Sequence, residues 1–231
     1  MKRYKHLFFD LDKTLWDFDK NALETFSDIY NKYKLNERGI PSVKDFIRKY
    51  TVHNIYLWDL YRNGDIEKKL LSVKRFELTL NDFGIFNKEL AKNIASDYIL
   101  LSPLKTNLYP QTRETLEYLK NKYKLHIITN GFEEVQYKKI KAADLEQYFD
   151  KIITSEEAGC KKPDPMIFKF SLAKANALAS ESLMIGDDIE VDIIGARNTG
   201  IDQVFVNYSN IHHNEDVSFE ITEMKDLMQI L

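Results

Sequence analysis

Short apolar runs rich in β-branched and aromatic residues recur along this chain at His6–Phe9, Leu125–Thr129, Lys151–Thr154, Leu183–Ile185 and Gln203–Val206. Each is of strand length, and all but the last lead into polar or glycine-containing residues. Around the later four lie stretches with apolar positions at helical spacing: Thr112–Tyr123, Glu133–Gln147, Pro165–Ala177 and Ile189–Asn198. Strand alternating with helix predicts an α/β fold whose strands form a parallel sheet with right-handed crossovers. The first strand is followed differently. About ninety residues of almost purely helical pattern separate it from the next, in pieces Asn21–Tyr33, Ser42–Tyr61, Ile66–Phe83 and Lys88–Leu101. Gly39-Ile40-Pro41, Asn63-Gly64 and Asn81-Asp82-Phe83-Gly84 punctuate them. The expected organisation is a parallel-sheet core from residues 1–15 and 105–231, interrupted by a helical domain at 16–104. Ligands of such sheets bind beyond the carboxyl ends of the strands, where an inserted domain can cover them.

Composition narrows the classes of function. The 231 residues carry a net charge of −3, with 33 Lys and Arg set against 36 Asp and Glu. The basic residues are scattered, which excludes the concentrated positive field that a nucleic-acid polymer needs. One cysteine, Cys160, excludes an internal disulfide framework and fits a reducing compartment. The amino terminus has an apolar run of only three residues before Asp10, so neither a signal peptide nor a membrane span is expected there. The expectation is a cytoplasmic protein without a membrane partner.

The candidate chemistry sits where the strands end. FFDLDKTLWDFD, residues 8–19, places Asp10 and Asp12 two apart after the first strand, where an extended chain aims both the same way. Converging carboxylates repel unless a cation separates them, and a hard divalent ion such as Mg²⁺ would do so. The alternative is that Asp12 caps the turn and Asp10 is merely exposed. Leu125–Thr129 ends in Thr129-Asn130-Gly131, which offers a hydroxyl, an amide and backbone N–H groups at a helix entrance, an anion seat. Asn-Gly is also a hairpin signal, although the sequence after it is helical. Lys162 stands before Pro163-Asp164-Pro165, where Asp164 can cap a helix and Pro165 begin it. Leu183–Ile185 runs into Gly186-Asp187-Asp188, with Asp192 one helical turn on. Asp188 can be a plain helix cap.

DLDKT at Asp10–Thr14, the ITN ending in Asn130, Lys162 before PDP, and GDDIEVD at Gly186–Asp192 together resemble the four motifs of the haloacid dehalogenase-like hydrolases. The resemblance spans nearly the whole chain and implies a Rossmann-like core with an inserted all-helical cap. It also implies a Mg²⁺-dependent phosphomonoesterase. Asp10 would be the nucleophile and Asp12 the acid/base. Asp10, the backbone carbonyl of Asp12, and Asp187 would hold the metal. Thr129, Asn130 and Gly131 would bind the phosphoryl group, Lys162 would neutralise it, and Asp188 or Asp192 would support from behind. Asp12 argues against the dehalogenases themselves, which displace halide and need no acid there. LWDFD with Ala22-Leu23 is similar to the noncanonical pyrimidine 5′-nucleotidase branch, which implies a small phosphorylated metabolite as partner. Trp16 and Phe18 are candidates to stack on a base, or else pack internally. His53, Tyr56, Trp58, Tyr61 and Arg62 are the corresponding candidates in the cap. A sugar-phosphate phosphatase or a phosphomutase of the same superfamily is the alternative. A phospho-accepting regulatory module without turnover is the alternative of another class. Cys160, near Lys162, is either oxidation-sensitive or an inert thiol.

Overall fold

The computed structural model describes residues 4–231; the basic Met1–Arg3 lie outside them. Among the described residues the chain divides into two compact units, one of residues 4–18 and 106–231 and one of residues 19–105.

The first unit is built on six strands, β1 (His6–Phe9), β2 (Lys124–Thr129), β3 (Lys151–Thr154), β4 (Ser182–Gly186), β5 (Asp202–Val206) and β6 (Phe219–Ile221). They form one sheet in the order β3-β2-β1-β4-β5-β6, and every pairing is parallel. β1 is central and buried throughout, because helices cover both faces of such a sheet. Its side chains alternate. Leu7 and Phe9 join Leu125, Ile127, Leu183 and Ile185 on one face, packed on Leu116 and Leu119 of α5 (Thr112–Lys120) and Ile140 of α6 (Glu133–Ala142). Phe8 joins Ile128 and Met184 on the other, against Ile167 and Phe168 of α8 (Pro165–Ala175). A single helical turn, α7 (Ser155–Ala158), follows β3. Phe9 pairs with both Ile127 and Ile185. Asp10 therefore leaves the sheet level with Ile128 and Gly186, which brings three strand ends to one edge.

The second unit holds α1 (Phe18–Lys32), which begins one residue earlier, α2 (Val43–Asn63), α3 (Lys68–Asn81) and α4 (Lys88–Leu101). Ser42 and Asn87 cap α2 and α4 through their side-chain oxygens, as their positions after loop residues require. Phe26, Phe46, Tyr50, Phe76 and Tyr98 form its buried aromatic centre, with centroids 4.6–6.4 Å apart along the contacts of Phe26. Arg75 is buried among these rings, 5.1 Å from the centroid of Tyr98, and donates to Asn54.

The structure departs from the sequence expectation at three places. The segment expected as one helix to Gln147 stops at Ala142, because Asp144 takes a left-handed backbone (φ 50°) and a short 3₁₀ turn, Glu146–Tyr148, follows. β6 was not anticipated; it is three residues long on the sheet edge, too short to carry a periodic signal. Trp16 to Phe18 belong with the sheet unit rather than the helical insert. Trp16 bridges to Leu108, and Asp17 N donates to Asn107 O. No helix among the described residues is long and apolar enough to cross a membrane.

Candidate active site

Beyond β1 the chain folds into a tight turn. Leu15 and Trp16 N–H groups both donate to Leu11 O, Lys13 N donates to Trp16 O, and Lys13 itself is left-handed (φ 65°). This turn separates the two aspartates. Asp10 accepts from Lys162 Nζ at 2.6 Å. Asp12 instead accepts from Lys139 Nζ at 2.5 Å and from Gln136 Nε2 at 2.8 Å. The i, i+2 pair is thus resolved by two different buried lysines, one for each acid.

Lys162 is 1% exposed and lies at the hub of the first cluster. Its ammonium donates to Asp10, to Asp192 at 2.6 Å and to Ile128 O at 2.9 Å, which uses all three of its protons. Burial works against its charge, yet the two carboxylates outweigh that and hold its pKa above the usual lysine range. Asp187 enters from the end of β4 and accepts from Thr14 Oγ1 at 3.0 Å. Burial pushes Asp10 up to about 7, with Lys162 pulling the other way and Asp192 adding to the rise. Asp187 is driven up by burial, then by Asp10 and Asp192, and Asp192 rises through burial despite Lys162.

One oxygen from each of Asp10, Asp187 and Asp192 lies within 4.8 Å of the others. Three carboxylates around one ammonium leave uncompensated negative charge in a desolvated place, and all-oxygen donors suit a hard divalent cation. The residues therefore fit Mg²⁺. Both Asp192 oxygens are occupied, by Lys162 Nζ and by Asp188 N, so Asp10 and Asp187 have the freer lone pairs.

Other expected positions fall differently. Asn130 spends its side chain on Lys162: Oδ1 accepts from Lys162 N and Nδ2 donates to Lys162 O, both at 2.8 Å. Its amide holds the lysine backbone rather than standing open to an anion. Gly131 serves packing, since a Cβ there would fall 1.9 Å from Gln136 Nε2. The Asn-Gly pair makes no hairpin; β2 runs parallel to both neighbours. Trp16 is 0% exposed and sits under Lys139 Nζ, 4.0 Å from the ring centroid, so it has no free face for a base. Asp188 is the bland helix cap, accepting from Glu190 N and Val191 N at the start of a wide π-type turn, Ile189–Ile194, which runs into α9 (Gly195–Arg197). Asp192, not Asp188, meets Lys162. Cys160 donates weakly to Ala158 O, and burial pushes its thiol pKa up, away from the reactive thiolate. In the helical unit His53 pairs with Asp82, Arg62 with Asp59, and Trp58 packs edge-on against Tyr61; Tyr56 is exposed.

Sequence reading missed Gln136, Lys139 and Thr14. The first two stand three apart on α6 and so share a face. Lys139 was hidden beside Lys138, and nothing in one sequence tells a buried lysine from its solvated neighbour.

The sequence profile of the haloacid dehalogenase-like hydrolases matches residues 7–206. The pyrimidine 5′-nucleotidase YjjG of Escherichia coli is 31% identical over 239 residues, covering 99% of this chain and 98% of that protein. A glyceraldehyde 3-phosphate phosphatase of Pyrococcus abyssi is 35% identical over 234 residues, covering 98% and 93%. Among solved structures, the HAD-hydrolase YfnB of Bacillus subtilis, described as bound to magnesium, superposes with a TM-score of 0.88 at 25% identity over 99% of both chains.

Proposed function

The chain belongs to the haloacid dehalogenase-like hydrolases, and on that premise we propose that it is a Mg²⁺-dependent phosphomonoesterase of small metabolites, specifically a pyrimidine nucleoside 5′-monophosphatase. The observation that carries the reading is the division of the two aspartates: Asp10 against Lys162 near Asp187, Asp12 against a separate lysine. Two carboxylates in different surroundings can take different roles.

Asp10 Oδ attacks phosphorus in line, and the bond from phosphorus to the ester oxygen breaks as Asp12 delivers its proton to the leaving alkoxide. Asp12 then takes a proton from water, whose oxygen attacks the aspartyl-phosphate at phosphorus. That releases inorganic phosphate and restores the Asp10 carboxylate. The Thr129 hydroxyl donates to a phosphoryl oxygen, while Lys162, its protons held by Asp10, Asp192 and Ile128 O, contributes its positive charge from behind Asp10. Asp10 and Asp187 would hold Mg²⁺, with the Asp12 backbone carbonyl, and the ion would supply further neutralisation of that charge.

The likeness to YjjG supports the nucleotide branch. The likeness to the Pyrococcus abyssi enzyme favours a second reading, a triose- or sugar-phosphate phosphatase. Phosphate release from pyrimidine and purine monophosphates and from several sugar phosphates, with Mg²⁺ and with chelator, separates them, with Asp10→Asn as the inactive control. Metal-dependent release favouring UMP or dTMP supports the nucleotidase. Release from sugar phosphates alone keeps the mechanism and removes that branch. No release from any of them overturns the phosphomonoesterase reading.

A further inference from the structure

We propose that Gln136 and Lys139, with Trp16 beneath the lysine, are positioning residues that fix the Asp12 carboxylate and leave the Thr129 hydroxyl with only its proton to donate. This rests on the phosphomonoesterase reading and names what orders its acid/base.

The geometry divides the work between two donors. Lys139 Nζ takes Asp12 Oδ1 at 2.5 Å and Gln136 Nε2 takes Asp12 Oδ2 at 2.8 Å. With each oxygen held by a different group, the carboxylate can neither spin about its terminal bond nor swing without losing a charge-assisted bond. Lys139 is itself 4% exposed, rare for a lysine, and its ammonium is held over Trp16 at 4.0 Å. The indole therefore has a task other than stacking on a substrate.

Gln136 does a second thing. Its other amide proton goes to Thr129 Oγ1 at 2.7 Å, and Gly131 N donates to the same oxygen at 3.1 Å. A hydroxyl has two acceptor lone pairs and one proton. With both lone pairs engaged, Thr129 can only give its proton away, which is the polarity an anionic phosphoryl oxygen needs. Gln136 Oε1 is buried and makes no hydrogen bond to another protein group. Reversing the amide would aim that oxygen at the Asp12 Oδ2 carboxylate, an acceptor only, so Asp12 dictates the orientation and Thr129 Oγ1 receives the remaining N–H.

A plain structural strut between α6 and the turn after β1 would have the same geometry, so the test uses chemistry that a strut does not move. With p-nitrophenyl phosphate the leaving phenolate departs without protonation, so forming the aspartyl-phosphate does not need a well-placed Asp12, whereas hydrolysing it does. Pre-steady-state release of p-nitrophenolate would be followed in wild type, Lys139→Met, Lys139→Arg and Gln136→Met, alongside melting curves and turnover of an alkyl phosphate. The inference expects Lys139→Met to give a burst of about one equivalent per enzyme. A steady state at least ten-fold below wild type would follow, with a lowered KM, and no burst on the alkyl ester, where both steps slow. Lys139→Arg would restore turnover, and Gln136→Met would show the burst with a raised KM for the alkyl phosphate. Folded variants whose kcat stays within two-fold of wild type, or which lose both substrates equally without a burst, overturn it. Should Lys139→Met fail to fold, Lys139→Arg and Gln136→Met carry the same test. An active wild type with unaltered variants removes this inference alone; an inactive wild type removes the function on which it rests.

Discussion

Asn130 grips the backbone of Lys162 from both sides, accepting from its N–H and donating to its carbonyl at 2.8 Å each. The lysine that neutralises Asp10 is therefore placed by a carboxamide 32 residues earlier in the chain, on the loop after β2. Asn130→Ala removes both bonds and should lower stability by about 1–3 kcal/mol. Asn130→Asp keeps the acceptor but sets a carboxylate oxygen against the Lys162 carbonyl, so it should be at least as harmful despite its equal size. Urea denaturation midpoints with phosphate-release rates check both. A variant pair in which Asp is as stable as Asn would contradict this account.

Gly186 is required for space rather than for an unusual backbone. A Cβ there would lie 2.3 Å from Asp192 Oδ2 and 2.5 Å from Asp192 Cβ, so the whole aspartate must shift and not merely its tip. Gly186→Ala should cost about 1–3 kcal/mol as overpacking. It should also loosen Lys162, which donates to Asp192 at 2.6 Å. The expected signature is a fall in kcat of ten-fold or more in protein that is still folded at the assay temperature. Preserved kcat with a lowered melting temperature would show that Asp192 does not transmit the shift.

A buried histidine pair makes the fold acid-sensitive. His126 is fully buried, packed on Phe8, 3.0 Å from His6 Nδ1 through its Nε2, and 4.0 Å from Asp150; Lys124 and Lys151 also act on it. Burial, with help from His6, lowers its pKa from 6.5 to about 4, and His6 is lowered too. Between those two values the unfolded chain binds a proton that the folded chain refuses, so stability is full above about 6.5 and falls as pH drops toward 4. From pH 7 to pH 5 this residue should account for a loss of about 2 kcal/mol. Chemical denaturation of wild type and His126→Leu at both pH values measures it. Equal losses in the two proteins would assign the acid sensitivity elsewhere.

Much of this protein could be read along the chain. The parallel-sheet class followed from apolar runs such as Leu125–Thr129 alternating with helical patterns, because strands covered on both faces must be apolar throughout. The convergence of Asp10, Thr129, Lys162 and Asp187 on one sheet edge was legible because each ends or directly follows a strand or precedes a helix start, where local chain direction alone aims it at that edge. The helical insert was legible from about ninety residues without a strand.

What stayed hidden depended on distance in sequence. Asp10 and Asp12 look alike in DLDKT, and only the turn after β1 sends one to Lys162 and the other to Lys139, 152 and 127 residues away. Trp16 reads as a mouth aromatic until the fold brings a buried ammonium over its face. Asn130 reads as an open amide until Lys162 closes on it. Sequence determines what a residue can offer and, through local periodicity, which way its element points. Tertiary structure alone decides which donor meets which acceptor, because desolvation makes those pairings compulsory only once the chain has packed.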